Sequence, residues 1–147
     1  SNIDLNVLFV SCEDMAKTKT GAIIVLQRSN SLDFTVTENN RSNIKLMPQI
    51  LESIFFKNSP LHDGAIIIEK NNIIATRVVL PVSDSIKMPS HYGLRHRAAQ
   101  GISEKTDALV LVISEQTGKI VYVKNGEFFS FDSTGALRDI IAQDLSE

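Results

Sequence analysis

Cysteine is almost absent from this chain: Cys12 stands alone among 147 residues. One thiol cannot close an internal disulfide, so an apolar core must hold the fold. Cys12 lies among apolar residues with helical spacing and reads as a buried thiol in a reducing compartment, with cytoplasmic exposure the expectation. One cysteine and three scattered histidines form neither a C-x-x-C nor an H-E-x-x-H pattern, which removes the usual grounds for a zinc centre. Tryptophan is missing, aromatics make up 6%, and 15 basic residues against 17 acidic leave a net charge of −2. Nucleic acid and anionic membrane both call for a broad basic face, and an RNA-binding sheet calls for stacking aromatics; neither is present. Any phosphate must be met locally. No stretch approaches the roughly 18 to 20 apolar residues of a spanning helix, and no basic-then-apolar leader opens the chain. The Ser1-Asn2 start without methionine reads as a tag remnant, which leaves membrane attachment of the parent protein open. The G-x-x-x-x-G-K-[ST] loop, the G-x-G-x-x-G turn, the kinase loop series and serine hydrolase motifs are all missing.

What is present suffices for one core, since 43% of residues are apolar and 22% charged. Without repeats, low-complexity tracts or a linker-like shift, the chain reads as one α/β domain with a central mixed β-sheet flanked by helices. Apolar residues from Leu5 to Ala16 recur at three-four spacing and predict a helix over Asp4 to Lys17. Gly21 to Leu26 is a β-branched apolar run; Ser29-Asn30-Ser31 supplies turn chemistry, and a polar strand over Asp33 to Thr37 would complete a hairpin. Asn39 to Asn43 reads as loop. Leu46 to Phe55 restores helical periodicity, and the helix is expected to end near Asn58. Ala65 to Glu69 and Ile73 to Leu80 flank Lys70-Asn71-Asn72, where the asparagines are expected to take the positive φ of a tight turn. Pro81 to Gly93 has no steady period and reads as an exposed loop, with a helix beginning near Arg95. Ala108 to Ile113, Ile120 to Val123 and Glu127 to Phe131 form a meander, and Asp132 or Ser133 caps a last helix.

Two segments stand out for chemistry. In His62-Asp63-Gly64, imidazole and carboxylate can bind a divalent ion while glycine lets a ligand approach the backbone. Neighbours in a strand point oppositely, so sharing one ion requires a loop that breaks the alternation. The same residues are also readable as an ordinary turn in which Asp63 caps amides, which local chemistry alone favours. In Arg95-His96-Arg97, two guanidiniums and free helix amides form a compact anion site, or else a solvated basic turn. His91 and Tyr92 can stack on a base, although loop aromatics commonly have no such use. Ser114-Glu115-Gln116-Thr117 is readable as ligand contact or as plain turn chemistry.

Taken in order, TGAIIV at 20–25, PLHDGAIII at 60–68, LPVSD at 80–84, GLRHRAAQGISEKTDAL at 93–109 and SEQTGKI at 114–120 resemble the bacterial diadenylate cyclase domain over about residues 15 to 130. Their order and spacing carry the resemblance, not any single string. It implies that Asp63, Gly64 and Ala65 lie beside the ribose and phosphates of ATP. Arg95, His96 and Arg97 would hold phosphates, Leu80 would line the adenine pocket, and Ser114 would touch phosphate. His62 would ligate a catalytic Mn²⁺ or Mg²⁺. Asp63, Arg95 and Arg97 are the implied catalytic residues. Two ATP molecules would be condensed into cyclic di-AMP by two copies facing each other, with ATP and a second copy as partners and no nucleic acid. Relatives commonly place the domain after membrane helices on the cytoplasmic side, so any membrane contact would come through segments this chain does not have. Leu94 and Gln116 depart from the common Gly-Thr-Arg-His-Arg and Ser-Glu-Glu-Thr texts, losing a hydroxyl and a charge. The competing reading is a nucleotide-binding signalling module without turnover.

Overall fold

Residues along the central strands alternate in direction, and both directions are apolar. In β1 (Ala22–Leu26), Ala22, Ile24 and Leu26 join one buried cluster, while Ile23 and Val25 join another. β3 (Ala65–Glu69) and β5 (Leu109–Ile113) divide the same way. A strand buried on both faces needs such an unbroken apolar run, which is why these three read clearly in the sequence. The computed structural model describes residues 3–85 and 88–147. Ser1-Asn2 and positions 86 and 87 of the 81–93 loop lie outside them.

With β2 (Arg41–Lys45), β4 (Asn72–Val78), β6 (Ile120–Lys124) and β7 (Glu127–Phe129), these strands form one seven-stranded sheet of order β2-β4-β3-β1-β5-β6-β7. Only the central β1–β3 pair is parallel; every other pair is antiparallel. Helices α1 (Leu5–Lys17), α2 (Ile50–Phe55) and α4 (Thr134–Leu145) cover one face through Leu8, Cys12, Leu51, Leu137 and Ile141. Helix α3 (Leu94–Lys105) covers the other through Ala99 and Ile102. Each fully buried Leu or Ile contributes roughly 1.5–3 kcal/mol, and both faces share that contribution. Cys12 is fully buried, and burial pushes its thiol up to about 12. Asp4 caps α1 and Ser133 caps α4, each side chain accepting from an amide three residues on. Asp144 of α4 accepts from the Tyr122 hydroxyl at 2.6 Å and pairs with Lys124 at 3.1 Å, fastening the last helix to β6. No helix of the described residues is long and apolar enough to cross a membrane.

Four local expectations fail for identifiable reasons. Residues 33–37 form no strand: Asp33–Thr35 is a 3-10 turn in which Ser31 Oγ accepts from the Asp33 amide and Thr35 Oγ1 donates to the Leu32 carbonyl, so side chains outcompete a ladder. The strand comes later, as β2, which begins inside the segment read as loop and runs two residues past it. It pairs with β4 at the sheet edge, so the expected hairpin with β1 is not made. Helix α2 starts at Ile50, because Leu46 donates to the Asn71 carbonyl and Gln49 sits at φ +72 just before the first turn. In the β3–β4 turn the positive φ belongs to Lys70 (+55) and not to the asparagines. Asn71 instead accepts the Asp4 amide through its side chain.

Candidate active site

The chemistry-bearing residues meet at the sheet edge where β1 and β3 begin and β4 and β5 end. That edge also receives the N-terminus of α3. A cavity of about 540 Å³ opens there, lined by Ile23 of β1, Asp63 and Gly64 just before β3, and Val78, Val79 and Leu80 at and beyond the end of β4. Leu94, Arg95, His96, Ser114 and Glu115 complete its far side. A second cavity of about 650 Å³ adjoins it, with Asp63, Arg95 and Glu115 common to both and His62, Lys19 and Lys57 on the second alone.

The loop before β3 does break strand alternation. His62 Nε2 lies 3.2 Å from Asp63 Oδ1, and His62 Nδ1 lies 2.8 Å from the Ser59 carbonyl. The Ser59 carbonyl can only accept, so Nδ1 donates to it. Nε2 and the Asp63 carboxylate are left side by side at the second cavity, two groups of the kinds that ligate divalent ions. Gly64 follows at φ +91, and a Cβ there would meet the Arg77 carbonyl carbon at 2.7 Å and the Val78 carbonyl oxygen at 2.9 Å. Glycine is thus demanded by its own backbone and by β4, a stronger reason than ligand approach.

Gly93 caps α3 with no side-chain hydrogen bond, so the first amides of the helix face the cavity edge uncapped. Arg95 pairs with Glu115 at 3.2 Å. Its guanidinium carbon lies where a Cβ on Gly21 would come within 2.5 Å. His96 is buried and stacks on Tyr92 with ring centroids 4.0 Å apart and planes 10° from parallel. Burial first, then His91 and Arg95, lowers its pKa to about 4, so it is neutral near pH 7. It therefore offers the cavity an uncharged edge, not a third cation beside the arginines. Arg97 follows Arg95 by two residues, about 200° around the helix, and does not line the cavity. Its carbonyl accepts the Ser83 amide at 3.2 Å, and a Cβ on Gly101 would meet the Pro81 carbonyl oxygen at 1.9 Å. The Leu80–Ser83 segment is thereby seated on α3, which holds Leu80 in the cavity wall.

Ser114 makes the turn contacts and also lies beside the cavity. Its Oγ accepts from the Gln116 and Thr117 amides at 3.1 and 3.2 Å, leaving the hydroxyl proton free to donate, and the residue borders the cavity. Of the residues singled out from sequence, the cavity gathers Asp63, Gly64, Leu80, Arg95, His96 and Ser114, with His62 beside it. Ala65 is fully buried and, like Arg97, stands outside the lining. Tyr92 has one ring face covered by His96, whereas His91 is exposed on the cavity wall. Gly21 and Ile23, inside the TGAIIV string, received no role from sequence, and the ion pair of Glu115 had no local signal.

Fold and cavity together define an α/β domain with a cavity where the central strands meet the N-terminus of α3. Residues 10–128 match the family model described as DisA bacterial checkpoint controller nucleotide-binding, and the chain belongs to this family of diadenylate cyclase (DAC) domains. It is 42% identical over 135 residues to the diadenylate cyclase of Listeria monocytogenes serotype 1/2a (strain 10403S), covering 92% of this chain and 50% of that protein. It is 36% identical over 133 residues to the cyclic di-AMP synthase CdaA of Bacillus subtilis (strain 168), covering 90% and 49%. The chain spans about half the length of these curated relatives. A double-cysteine variant of DacA from Staphylococcus aureus shares the fold with a TM-score of 0.90 at 34% identity, over 96% of this chain and 94% of that one. A hypothetical membrane spanning protein from Bacillus cereus matches with a TM-score of 0.83 at 36% identity, over 87% and 63%.

Proposed function

We propose that this chain is the catalytic domain of a diadenylate cyclase, and the observation that carries the reading is a single cavity faced by the Asp63 carboxylate, the Arg95 guanidinium and the uncapped amides of α3. In the proposed reaction the ribose 3′-oxygen of one ATP attacks the α-phosphorus of another. The bond from that phosphorus to the bridging oxygen of the β-phosphate breaks, and pyrophosphate leaves. The reciprocal attack closes the ring and releases a second pyrophosphate.

Phosphoryl transfer depends mainly on positioning and on neutralising phosphate charge. Asp63 orients the 3′-hydroxyl and accepts its proton. Arg95 and the α3 amides hold phosphate, and Ser114 donates its free hydroxyl proton to a phosphate oxygen. Leu80, with Val78 and Ile23, forms the apolar wall for adenine. Gly64 keeps the approach to Asp63 low, Ala65 supports the wall from behind, and His96 presents its uncharged edge to the phosphates. Arg97, outside the cavity, is left for phosphate that projects beyond it.

The donor set fits a divalent ion, Mn²⁺ or Mg²⁺, held by His62 Nε2 beside Asp63. The described residues contain no group of three or more His, Cys, Asp or Glu placed to hold one, so phosphate oxygens and water would complete the coordination. Such an ion supplies further charge neutralisation to the phosphates when bound. Each ATP serves as donor and acceptor, so two copies facing across a two-fold axis, one ATP apiece, satisfy the symmetry. Val79 and Leu94, 85% and 78% exposed on the cavity rim, supply apolar area for that pairing. We place the domain on the cytoplasmic side, where ATP is available, with any membrane anchor in the rest of the parent protein.

The deciding experiment incubates the chain with ATP and Mn²⁺ or Mg²⁺ and resolves products by mass. Cyclic di-AMP with two pyrophosphates is expected. ATP that binds and persists unchanged would overturn the cyclase in favour of a nucleotide-binding module.

A further inference from the structure

Asn40 sits half-buried in the turn entering β2, outside the cavity; its Oδ1 accepts from Thr37 within that turn, while its amide nitrogen and main-chain carbonyl reach across to β4. Its Nδ2 donates to the carbonyls of Thr76 at 3.1 Å and Arg77 at 2.8 Å, and its own carbonyl accepts the Thr76 amide at 2.9 Å. Three hydrogen bonds converge on two consecutive residues.

Those residues form a bulge. Ile67 faces Ala75 and Ala65 faces Val78, so two steps along β3 correspond to three along β4. Within it Arg77 takes φ +52, a left-handed conformation that glycine usually supplies at such a bulge. Arginine gains nothing intrinsic there and must be held by its surroundings. The Arg77 side chain adds one tie of its own, donating to the Asn39 carbonyl at 3.3 Å.

The bulge touches the site on two sides. Its backbone is the surface on which Gly64 rests, at the 2.7 and 2.9 Å limits given by the Arg77 carbonyl carbon and the Val78 carbonyl oxygen. Its C-terminal continuation is Val78, Val79 and Leu80, three residues of the cavity wall. A shift at Arg77 therefore moves the seat of the Asp63-Gly64 loop and the proposed adenine wall together.

We infer that Asn40 is a positioning residue for the nucleotide cavity, clamping the left-handed bulge of β4 so that Gly64 and the Val78–Leu80 wall keep their places. The turnover readout rests on the diadenylate cyclase reading; the structural readout does not.

Asn40→Asp keeps the shape and withdraws both donated hydrogen bonds, while Asn40→Ala removes them without adding charge. Amide hydrogen exchange across residues 76–80, ATP affinity, and kcat and KM for cyclic di-AMP formation are compared with the unaltered chain. Either variant is expected to accelerate exchange in that segment, weaken ATP binding about tenfold and raise KM more than it lowers kcat. Arg77→Gly added to either variant should restore most of the binding and slow the exchange, because glycine holds φ +52 unaided. A merely destabilised fold would not be rescued in this way. Unchanged exchange in both Asn40 variants overturns the clamp, as does faster exchange with ATP affinity intact, or a binding defect that Arg77→Gly leaves untouched. A chain that makes no cyclic di-AMP overturns the proposed function alone, and exchange with ATP affinity still decides the clamp.

Discussion

The Arg95 guanidinium lies against Gly21 so closely that a Cβ on Gly21 would stand 2.5 Å from its central carbon. The obstructing atoms end a flexible side chain, so Gly21→Ala is expected to leave the fold standing and push Arg95 out of place. Displacing one charge-assisted phosphate contact should weaken ATP binding by roughly tenfold, about 1.4 kcal/mol. Isothermal titration with ATP, alongside a thermal melt within a few degrees of the unaltered chain, checks both halves of the expectation.

Asp63 has a different expected signature. Asp63→Asn removes the proton acceptor while keeping the size and much of the polarity of the side chain. ATP binding should persist, and cyclic di-AMP formation should fall by on the order of 10²–10⁴-fold. Arg97→Ala should instead weaken binding. Product formation unchanged in Asp63→Asn would remove that residue from the mechanism.

Under the proposed reaction each chain holds one ATP, which makes pairing part of catalysis. Specific activity should therefore climb as protein concentration rises through the dilute range and level off once pairs saturate. Initial rates over a dilution series, with mass measured in solution at each point, test this; a flat profile from a proven monomer contradicts facing copies.

Acid stability carries a sign that can be worked out. His96 has its folded-state pKa lowered from 6.5 to about 4 by burial, with His91 and Arg95 adding to the effect. Between those values the unfolded chain binds the proton that the folded chain refuses, so stability is complete above pH 6.5 and declines as pH falls toward 4. The loss should amount to about 1–3 kcal/mol. Asp144 acts in a lower window. Burial opposes its charge, but Tyr122 and Lys124 outweigh that and lower its pKa, so its contribution is lost only below about pH 3.8. Denaturant melts from pH 7 to 4.5 isolate the histidine, and His96→Gln should flatten the slope there.

Legibility in the sequence followed burial. β1, β3 and β5 are apolar on both faces, and β6 turns into β7 at Asn125-Gly126, so local pattern was enough for each. β2 reads Arg-Ser-Asn-Ile-Lys because an edge strand carries polar residues and only Ser42 and Ile44 are partly covered, which leaves almost no period to detect. The site divided in the same manner. Asp63, Arg95 and Ser114 lie in strings whose order could be read, whereas the contacts of Gly21 with Arg95 and of Asn40 with Arg77 join positions 74 and 37 residues apart. Such pairs have no local signature; only the strand order brings them together. Arg97 marks the other limit of a string, since adjacency in the motif does not tell that helical rotation carries it outside the cavity that Arg95 lines.

The single thiol has a practical consequence. Cys12 is fully enclosed under the sheet and its thiolate is suppressed, so it is a poor nucleophile toward alkylating probes and oxidants. A reporter cysteine placed on the cavity rim, at Val79 or Leu94, can therefore be labelled with a fluorophore while the native residue stays in place, giving an optical test of the proposed meeting of two copies.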